Sequence, residues 1–187
     1  MKILLTEHLL FLFVCRQGNQ KRIISFGGVF MDSINRVLDE QGKEIELTYK
    51  KKKGIVVLRQ VDDLIFVSGH GPEDQITGEP LFKGRIGKDL TLEEGYLAAR
   101  ECAIIILGAL KDYLGNLDRI KNMVKAFGLV NCAEGFNDID YVMNGFSDTI
   151  ADVLEDRGYH ARTAMGTHNL PNNNIPVEIE VIVAVNQ

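Results

Sequence analysis

The pattern of apolar and polar residues along the chain first becomes regular near residue 54. A β-branched apolar run predicts a strand over 54–59, two aspartates within 61–63 predict a turn, and a second apolar run predicts a strand over 64–68. Strands separated by so short a turn form an antiparallel hairpin. Glycine, proline and threonine then mark turns at 69–72 and 77–80, where the chain leaves the second strand.

Helical spacing replaces the strand pattern from Thr91 onward. Apolar residues recur at helical intervals as far as Gly115, and Thr91 with Glu94 forms the capping-box pattern of a helix start. Gly158 predicts the end of a second helix. The elements predicted after the hairpin are a helix over 91–115, a strand over 120–130, a helix over 139–157, and strands over 161–166 and 177–185.

The element order β-β-α-β-α-β-β predicts a two-layer α+β domain, in which two helices cover one face of a mixed sheet of about six strands. The last strand carries apolar residues on both faces, because Ile182 and Ala184 alternate with valines at 181, 183 and 185. The face without helices is then expected to be covered by another subunit. The sequence therefore predicts an oligomer.

The length of 187 residues predicts one domain with an N-terminal appendage. We divide the chain into an N-terminal extension over 1–30, a short helix with a basic linker over 31–53, and the α+β domain over 54–187. Met31 directly precedes the predicted helix over 32–40 and offers an alternative translation start, in which case the extension is not native.

The apolar run over 9–15 is too short to be a membrane span, since crossing a bilayer takes roughly 20 residues. The run also lacks the basic leader and small-residue cleavage site of a signal peptide. We therefore expect no membrane partner. Three cysteines are scattered without CxxC spacing, which argues against a disulfide framework or a zinc site and predicts a reducing, cytoplasmic location.

The formal net charge of −5 argues against nucleic acid as a partner. The basic block Lys50–Lys53 is local, and both a solvated loop and a phosphate contact remain open for it. Histidines with the spacing of metal ligands do not occur, and neither does a glycine-rich phosphate fingerprint. We therefore predict no metal.

Arg162, Glu178 and Glu180 are charged residues in otherwise apolar strands, where a buried charge is costly unless it is paired. Alternation puts both glutamates on the face opposite Val177, and the strand of Arg162 could pair with theirs, so that a guanidinium and a carboxylate could meet at the sheet edge. Two interpretations stay open. One is an ion pair that closes the sheet or locks a subunit interface; the other is a site in which Arg162 binds a carboxylate and Glu178 is the base. His70 is the other candidate base, although a lone histidine in a turn is more often a hydrogen-bonding or surface residue.

Six short motifs occur in one order along the domain, namely Ser68–Pro72, Thr77–Glu79, Asn144, Ala161–Thr163, Leu170–Pro171 and Val177–Glu180. In this order they resemble the YjgF/RidA family of reactive-intermediate deaminases. The arginine, the Leu-Pro pair and the Glu-Ile-Glu run carry the most specific part of the resemblance. The resemblance covers residues from about Gly54 to the end of the chain.

The resemblance implies a chorismate-mutase-like fold assembled as a homotrimer with ligand clefts between subunits. It also implies cofactor-free hydrolysis of 2-imino or enamine acids to 2-keto acids and ammonia, for which orientation and one base suffice. By position, Arg162 is implied to bind the substrate carboxylate and Glu178 to position the attacking water, assisted by backbone amides of Gly69 and Ala164. The implied substrate-binding residues are Arg162, Gly69, Ala164, Asn144 and His70.

Four departures from the family pattern are typical of a divergent subfamily, and the identity of its substrate stays open. The family's tyrosine is missing at 52–55, His70 stands where glutamine is usual, Ala164 replaces a cysteine, and the loop over 167–176 is one residue longer. Two functions follow: an imine hydrolase, or a non-catalytic trimer that binds a small carboxylate or regulates a partner enzyme through the same cleft. Ribonuclease action fits the acidic charge poorly.

Overall fold

The computed structural model describes residues 55–186, together with the backbone of four short strands that precede them: β1 (Phe13–Gln17), β2 (Gln20–Ile24), β3 (Phe30–Met31) and β4 (Val37–Leu38). The predicted helix over 32–40 is wrong at Val37–Leu38, which pair antiparallel with Phe30–Met31. So short a helix is marginal on its own, and strand pairing with a neighbour prevails. The rest of that helix, the basic block at 50–53 and the segment boundary at 53 lie outside the described residues, while the boundary at 30 falls within β3.

The remaining strands form one mixed sheet in the order β5-β6-β9-β7-β8. The sheet therefore has five strands rather than about six, while the predicted element order and the two-layer α+β class are confirmed. Only β8 runs parallel to its neighbour, β7; the other pairs are antiparallel. The elements are β5 (Leu58–Val61), β6 (Leu64–His70), α1 (Leu92–Leu114), β7 (Ile120–Asn131), α2 (Ile139–Leu154), β8 (Ala161–Thr167) and β9 (Val177–Val185).

The predicted hairpin of β5 and β6 is confirmed, with Val61 paired to Leu64 and Asp62 in the left-handed region at φ 53°. Its strand limits differ from the prediction. The β5 ladder begins at Leu58 instead of residue 54, because β6 bulges after Val67 and leaves the regular pairing. Beyond the bulge β6 continues to His70, because its last residues still pair with β9.

The first helix has the predicted limits because both ends are capped. Thr91 and Glu94 bond reciprocally to each other's backbone N–H, and Gly115 ends the helix in the left-handed conformation at φ 76°. The second helix ends at Leu154, earlier than predicted, because Glu155 takes φ 53° and the chain continues to Gly158 as a tighter 3-10 turn. Within the described residues, neither helix combines the length and apolarity needed to cross a bilayer.

The connection from β7 through α2 to β8 is a strand–helix–strand crossover, which is the usual way to join parallel neighbours. The expectation that β8 pairs with β9 is therefore wrong. A short loop joins β8 to β9 in sequence, yet β7 lies between them in the sheet. The edge position next to β7 is occupied by β8, and β9 fills the place between β6 and β7.

The two faces of the sheet differ in their burial. On β9, Val177 and every second residue after it are buried under α1 and α2, as predicted. On the opposite face, which we call the open face, Ile182 is half-buried, Phe66 is 44% exposed and Met165 is 51% exposed. Apolar side chains of this size on one exposed sheet face indicate a surface that another chain can cover.

Candidate functional site

A cavity of about 660 Å³ opens beside the bulge in β6. The two residues between Val67 and His70 face a single residue of β9, Glu180, so the strand bends there. The end of β6, the loop over 71–78, the segment over 171–172 and Glu178 line the cavity. Its volume lies in the range of about 300–1,000 Å³ that small-molecule sites occupy.

Glu178 lies against the backbone of Gly69 in this cavity. A Cβ atom at Gly69 would collide with Oε1 of Glu178, so the missing side chain lets the carboxylate occupy this position. Strand alternation keeps Glu178 half-buried on the open face, while Val177 and Ile179 on either side are fully buried. Of the predicted site residues, the structure brings Gly69, His70 and Glu178 together.

Among the described residues, the carboxylates that line the cavity have no basic counterpart there from lysine or arginine. Glu73 and Asp74 line the cavity together with Glu178. Nδ1 of His70 donates to the carbonyl of Ser68 at 2.6 Å, because a carbonyl oxygen only accepts hydrogen bonds. The cavity of one chain therefore attracts a positively charged group of a ligand.

The loop over 71–78 is shaped by Asp74. Its Oδ1 accepts the backbone N–H of Thr77 at 2.7 Å, the hydroxyl of Thr77 at 2.9 Å and the backbone N–H of Ile76 at 3.0 Å. These hydrogen bonds lower the pKa of Asp74 below its usual value, and the one from the Thr77 backbone has the largest effect. Asp74 is therefore a carboxylate at neutral pH.

The opposite wall of the cavity is a turn with an uncommon backbone. Asn172, Asn173 and Asn174 all have positive φ, between 47° and 66°, a conformation that asparagine tolerates better than most residues. Nδ2 of Asn172 donates to the carbonyl of Gly78 at 3.0 Å and ties the two walls together. The buried Asn131 donates to Oδ1 of Asn174 at 2.9 Å and supports the turn from below.

Arg162 lies elsewhere, between β8 and α2. Its Nη1 donates to Oδ1 of Asn144 at 2.9 Å and to Oγ of Ser147 at 3.0 Å, and its Nη2 donates to the carbonyl of Asp140 at 3.3 Å. The predicted residues Arg162 and Asn144 are therefore brought together, but away from the cavity. Ser147 is a partner that the sequence analysis missed, although Asn144 and Ser147 share one helix face at i, i+3 spacing.

His160 completes this second group of residues and was also missed. Its Nδ1 donates to the carbonyl of Gly158 at 2.7 Å, and its Nε2 lies 3.1 Å from Oγ of Ser147. Its ring meets that of Phe146 edge-on, with centroids 5.6 Å apart. We call Asn144, Ser147, His160 and Arg162 the arginine cluster. No signal beyond the proximity of His160 to Arg162 in the chain pointed to this histidine.

Arg162 and Glu178 lie on opposite faces of the sheet and at different registers. Arg162 is aligned with Ala126 of β7 and, beyond it, with Val181 of β9, whereas Glu178 is aligned with Leu129. The expectation that the two charges meet at the sheet edge is therefore wrong for a single chain, because β7 separates their strands. Only a second copy of the chain can bring an Arg162 to a Glu178.

Ala164 and the cysteines Cys102 and Cys132 are not among the residues that line the cavity. Ala164 is on β8 next to Gly128 of β7 and packs against the core from the helix side, outside the cavity. Cys102 and Cys132 are buried free thiols, and burial raises the pKa of both. Within residues 55–186, no group of three or more histidine, cysteine, aspartate or glutamate side chains is arranged to hold a metal ion.

A family model described as "YjgF/chorismate_mutase-like, putative endoribonuclease" matches residues 57–182. "Protein TCP17" of Trypanosoma cruzi is 39% identical over 123 residues, which cover 65% of this chain and 75% of that protein.

Two solved structures have a similar fold. Atu1372 of Agrobacterium tumefaciens, described as a protein with unknown function, superposes with a TM-score of 0.69 at 34% identity and covers 73% of this chain and 86% of its own. A protein of Shewanella oneidensis MR-1, described as "a putative endoribonuclease", has a TM-score of 0.71 at 23% identity and covers 78% of this chain and 94% of its own. The Shewanella likeness concerns the fold alone.

Proposed function

The chain belongs to the YjgF/RidA family, and from this premise we propose that it is a cofactor-free hydrolase of reactive 2-imino or enamine acids. The products are a 2-keto acid and ammonia. The observation that carries the proposal is the acidic cavity in which Glu178 lies against Gly69, with Glu73 and Asp74 beside it. A protonated imine is a cation, and such a cavity favours it over a neutral ligand.

In the proposed reaction, Glu178 accepts a proton from a water molecule that attacks the imine carbon. The new C–O bond gives a carbinolamine, and the electron pair of the C=N bond moves to nitrogen. Glu178 returns the proton to that nitrogen, the C–N bond breaks to release ammonia, and Glu178 passes the remaining hydroxyl proton to the ammonia as the keto group forms. An iminium group and one water molecule thus become a keto group and an ammonium ion, without a redox change.

The substrate also carries a carboxylate, which the acidic cavity of one chain repels. Arg162 is suited to bind it, because a guanidinium donates two parallel hydrogen bonds to a carboxylate. We propose that Arg162 of a neighbouring copy approaches the Glu178 cavity in a homotrimer with intersubunit clefts. The exposed apolar side chains of the open face, Phe66 and Met165 among them, supply a surface for that assembly.

The family name mentions endoribonuclease activity, but the net charge of −5 is unsuited to binding a phosphate backbone. A cytoplasmic location is part of the proposal, and the free thiols of Cys102 and Cys132 agree with it. One observation favours a second candidate function. Because Arg162 and Glu178 are far apart within one chain, a trimer that brings them together poorly would bind a small carboxylate without hydrolysing an imine.

The proposal is tested by generating an imino acid in situ with an amino-acid oxidase, in the presence of catalase, and measuring keto-acid release. We expect wild-type protein to accelerate release above the spontaneous rate, and Arg162→Ala to lose that acceleration together with saturable binding of a stable 2-keto acid such as pyruvate. Arg119→Ala, at an exposed arginine outside the cavity and the arginine cluster, is the matched control. Spontaneous rates with wild type alongside retained binding would favour the second candidate.

Replacing Gly69 with alanine is expected to reduce keto-acid release by about 10- to 100-fold, because the added Cβ displaces the Glu178 carboxylate by an ångström or more. The displaced atom is the end of a flexible side chain, so the melting temperature should change little. A double-mutant cycle supplies the control: in a Glu178→Gln background the same substitution should have almost no further effect. An undiminished effect in that background would show that Gly69 acts independently of Glu178.

A further inference from the structure

The guanidinium of Arg162 is held on one side only. Its Nη1 donates to Asn144 and Ser147, and its Nη2 donates to the carbonyl of Asp140. An arginine has five N–H donors, and these contacts use three of them. Among residues 55–186, no acceptor contacts the Nε–H of Arg162. A carboxylate that arrives from outside the chain therefore finds the Nε edge of the guanidinium.

The hydroxyl of Ser147 connects Arg162 to His160. Since the carbonyl of Gly158 only accepts hydrogen bonds, Nδ1 of His160 carries the proton and Nε2 is an acceptor. The hydroxyl proton of Ser147 then points to Nε2, at 3.1 Å, and its lone pair faces Nη1 of Arg162, at 3.0 Å. The chain of hydrogen bonds has one consistent direction, and it requires a neutral His160.

We propose that Ser147 and His160 are positioning residues that hold the Arg162 guanidinium with its Nε edge turned toward the substrate carboxylate. This inference rests on the proposed function, in which Arg162 binds that carboxylate. Ser147 and His160 do not touch the substrate. They act by keeping Nη1 occupied and the plane of the guanidinium fixed, so that two parallel hydrogen bonds form without reorientation.

The positioning depends on pH in a defined direction. Burial lowers the pKa of His160 below its ordinary value of 6.5, and the charge of Arg162 adds to this effect, while the hydrogen bond to Gly158 opposes it. Within residues 55–186, the ring contacts Ser147 and Phe146 of α2 and the Gly158 carbonyl. At neutral pH the ring is neutral and the chain of hydrogen bonds is complete. Acidification through the lowered pKa adds a proton to Nε2, breaks the bond from Ser147 and places a second cation beside Arg162.

The test compares four variants for binding of pyruvate and for imino-acid kinetics. Ser147→Ala and His160→Phe remove the hydrogen bonds, and each is expected to raise Kd and KM by about 10-fold while kcat changes by less than about 3-fold. Ser147→Thr keeps the hydroxyl and His160→Gln keeps an acceptor, so both should stay near wild type. His160→Gln should also remove the loss of affinity that wild type shows on acidification. His168→Gln, at an exposed histidine, is the control.

The positioning role would be overturned if Ser147→Ala and His160→Phe both kept the wild-type affinity and KM while Arg162→Ala lost binding. NMR of the arginine Nε–Hε group separates this failure from a failure of the proposed function. The Arg162 signal, identified by its absence in Arg162→Lys, should shift and exchange faster with water in Ser147→Ala and His160→Phe. This readout applies even if no keto acid binds, and an unchanged signal in both variants would also overturn the inference.

Discussion

Replacing Glu178 with glutamine is expected to slow keto-acid release by about 100-fold while the affinity for pyruvate stays within about 3-fold of wild type. Glutamine has nearly the same shape as glutamate and still fits against Gly69, but it cannot accept a proton from water. In the proposed reaction the carboxylate of the ligand is bound by Arg162, so losing the base affects kcat and leaves ground-state binding intact. Steady-state kinetics and calorimetry measure the two quantities separately.

Glu180→Gln is the matched control for this experiment. Glu180 is two residues further along β9 and on the same face, but it is exposed and outside the cavity. The same loss of charge there should leave kcat within about 2-fold, as for a surface substitution away from the site. An equal loss of rate in both variants would mean that charge on the open face matters, and not a base at Glu178. A loss of pyruvate binding in Glu178→Gln would make the residue structural.

Mixing the inactive variants Arg162→Ala and Glu178→Gln in equal amounts and reassembling the oligomer is expected to restore about a quarter of the wild-type rate. The reason is the separation of the two residues by β7 and by the thickness of the sheet. If each site takes Arg162 from one copy and Glu178 from its neighbour, a random mixture contains both intact residues in about one site in four. Keto-acid release before and after reassembly measures the gain.

Each variant reassembled alone should remain inactive, and native mass spectrometry should confirm a trimer and the presence of mixed species. A second control mixes wild type with a chain that carries both substitutions. Every site made from two different chains then lacks one residue, so the rate should fall below that expected from the wild-type chains alone. Mixed trimers without any recovery of rate would contradict a site shared between copies.

Local sequence signals predicted the elements whose ends and faces depend on neighbouring residues. The first helix begins at a capping box and ends at a glycine, and both are properties of a few adjacent positions. The last strand has the predicted limits, Val177–Val185, because alternation over nine residues has no helical alternative. The same alternation predicted that Glu178 lies on the opposite face of the sheet from Val177 and Ile179.

Features that depend on distant residues were predicted less well. The bulge in β6 arises from its pairing with β9, which is more than 100 residues away in the chain, so no local pattern marks it. The place of β8 beside β7 depends on the crossover through α2, and the short loop between β8 and β9 suggested the wrong neighbour. Ser147 and His160 had no distinctive motif, and only packing of α2 on β8 brings them to Arg162.

The α+β class, the acidic and alternating character of the last strand, and the motifs that relate the chain to its family could all be predicted from the amino-acid sequence. These properties follow from residue type and from the period of each element, which short stretches of chain contain completely. The position of Arg162 and Glu178 on opposite faces of one sheet became known only from the folded chain, because strand order and register are set by pairing between distant segments. That separation makes a second copy of the chain necessary for the proposed site.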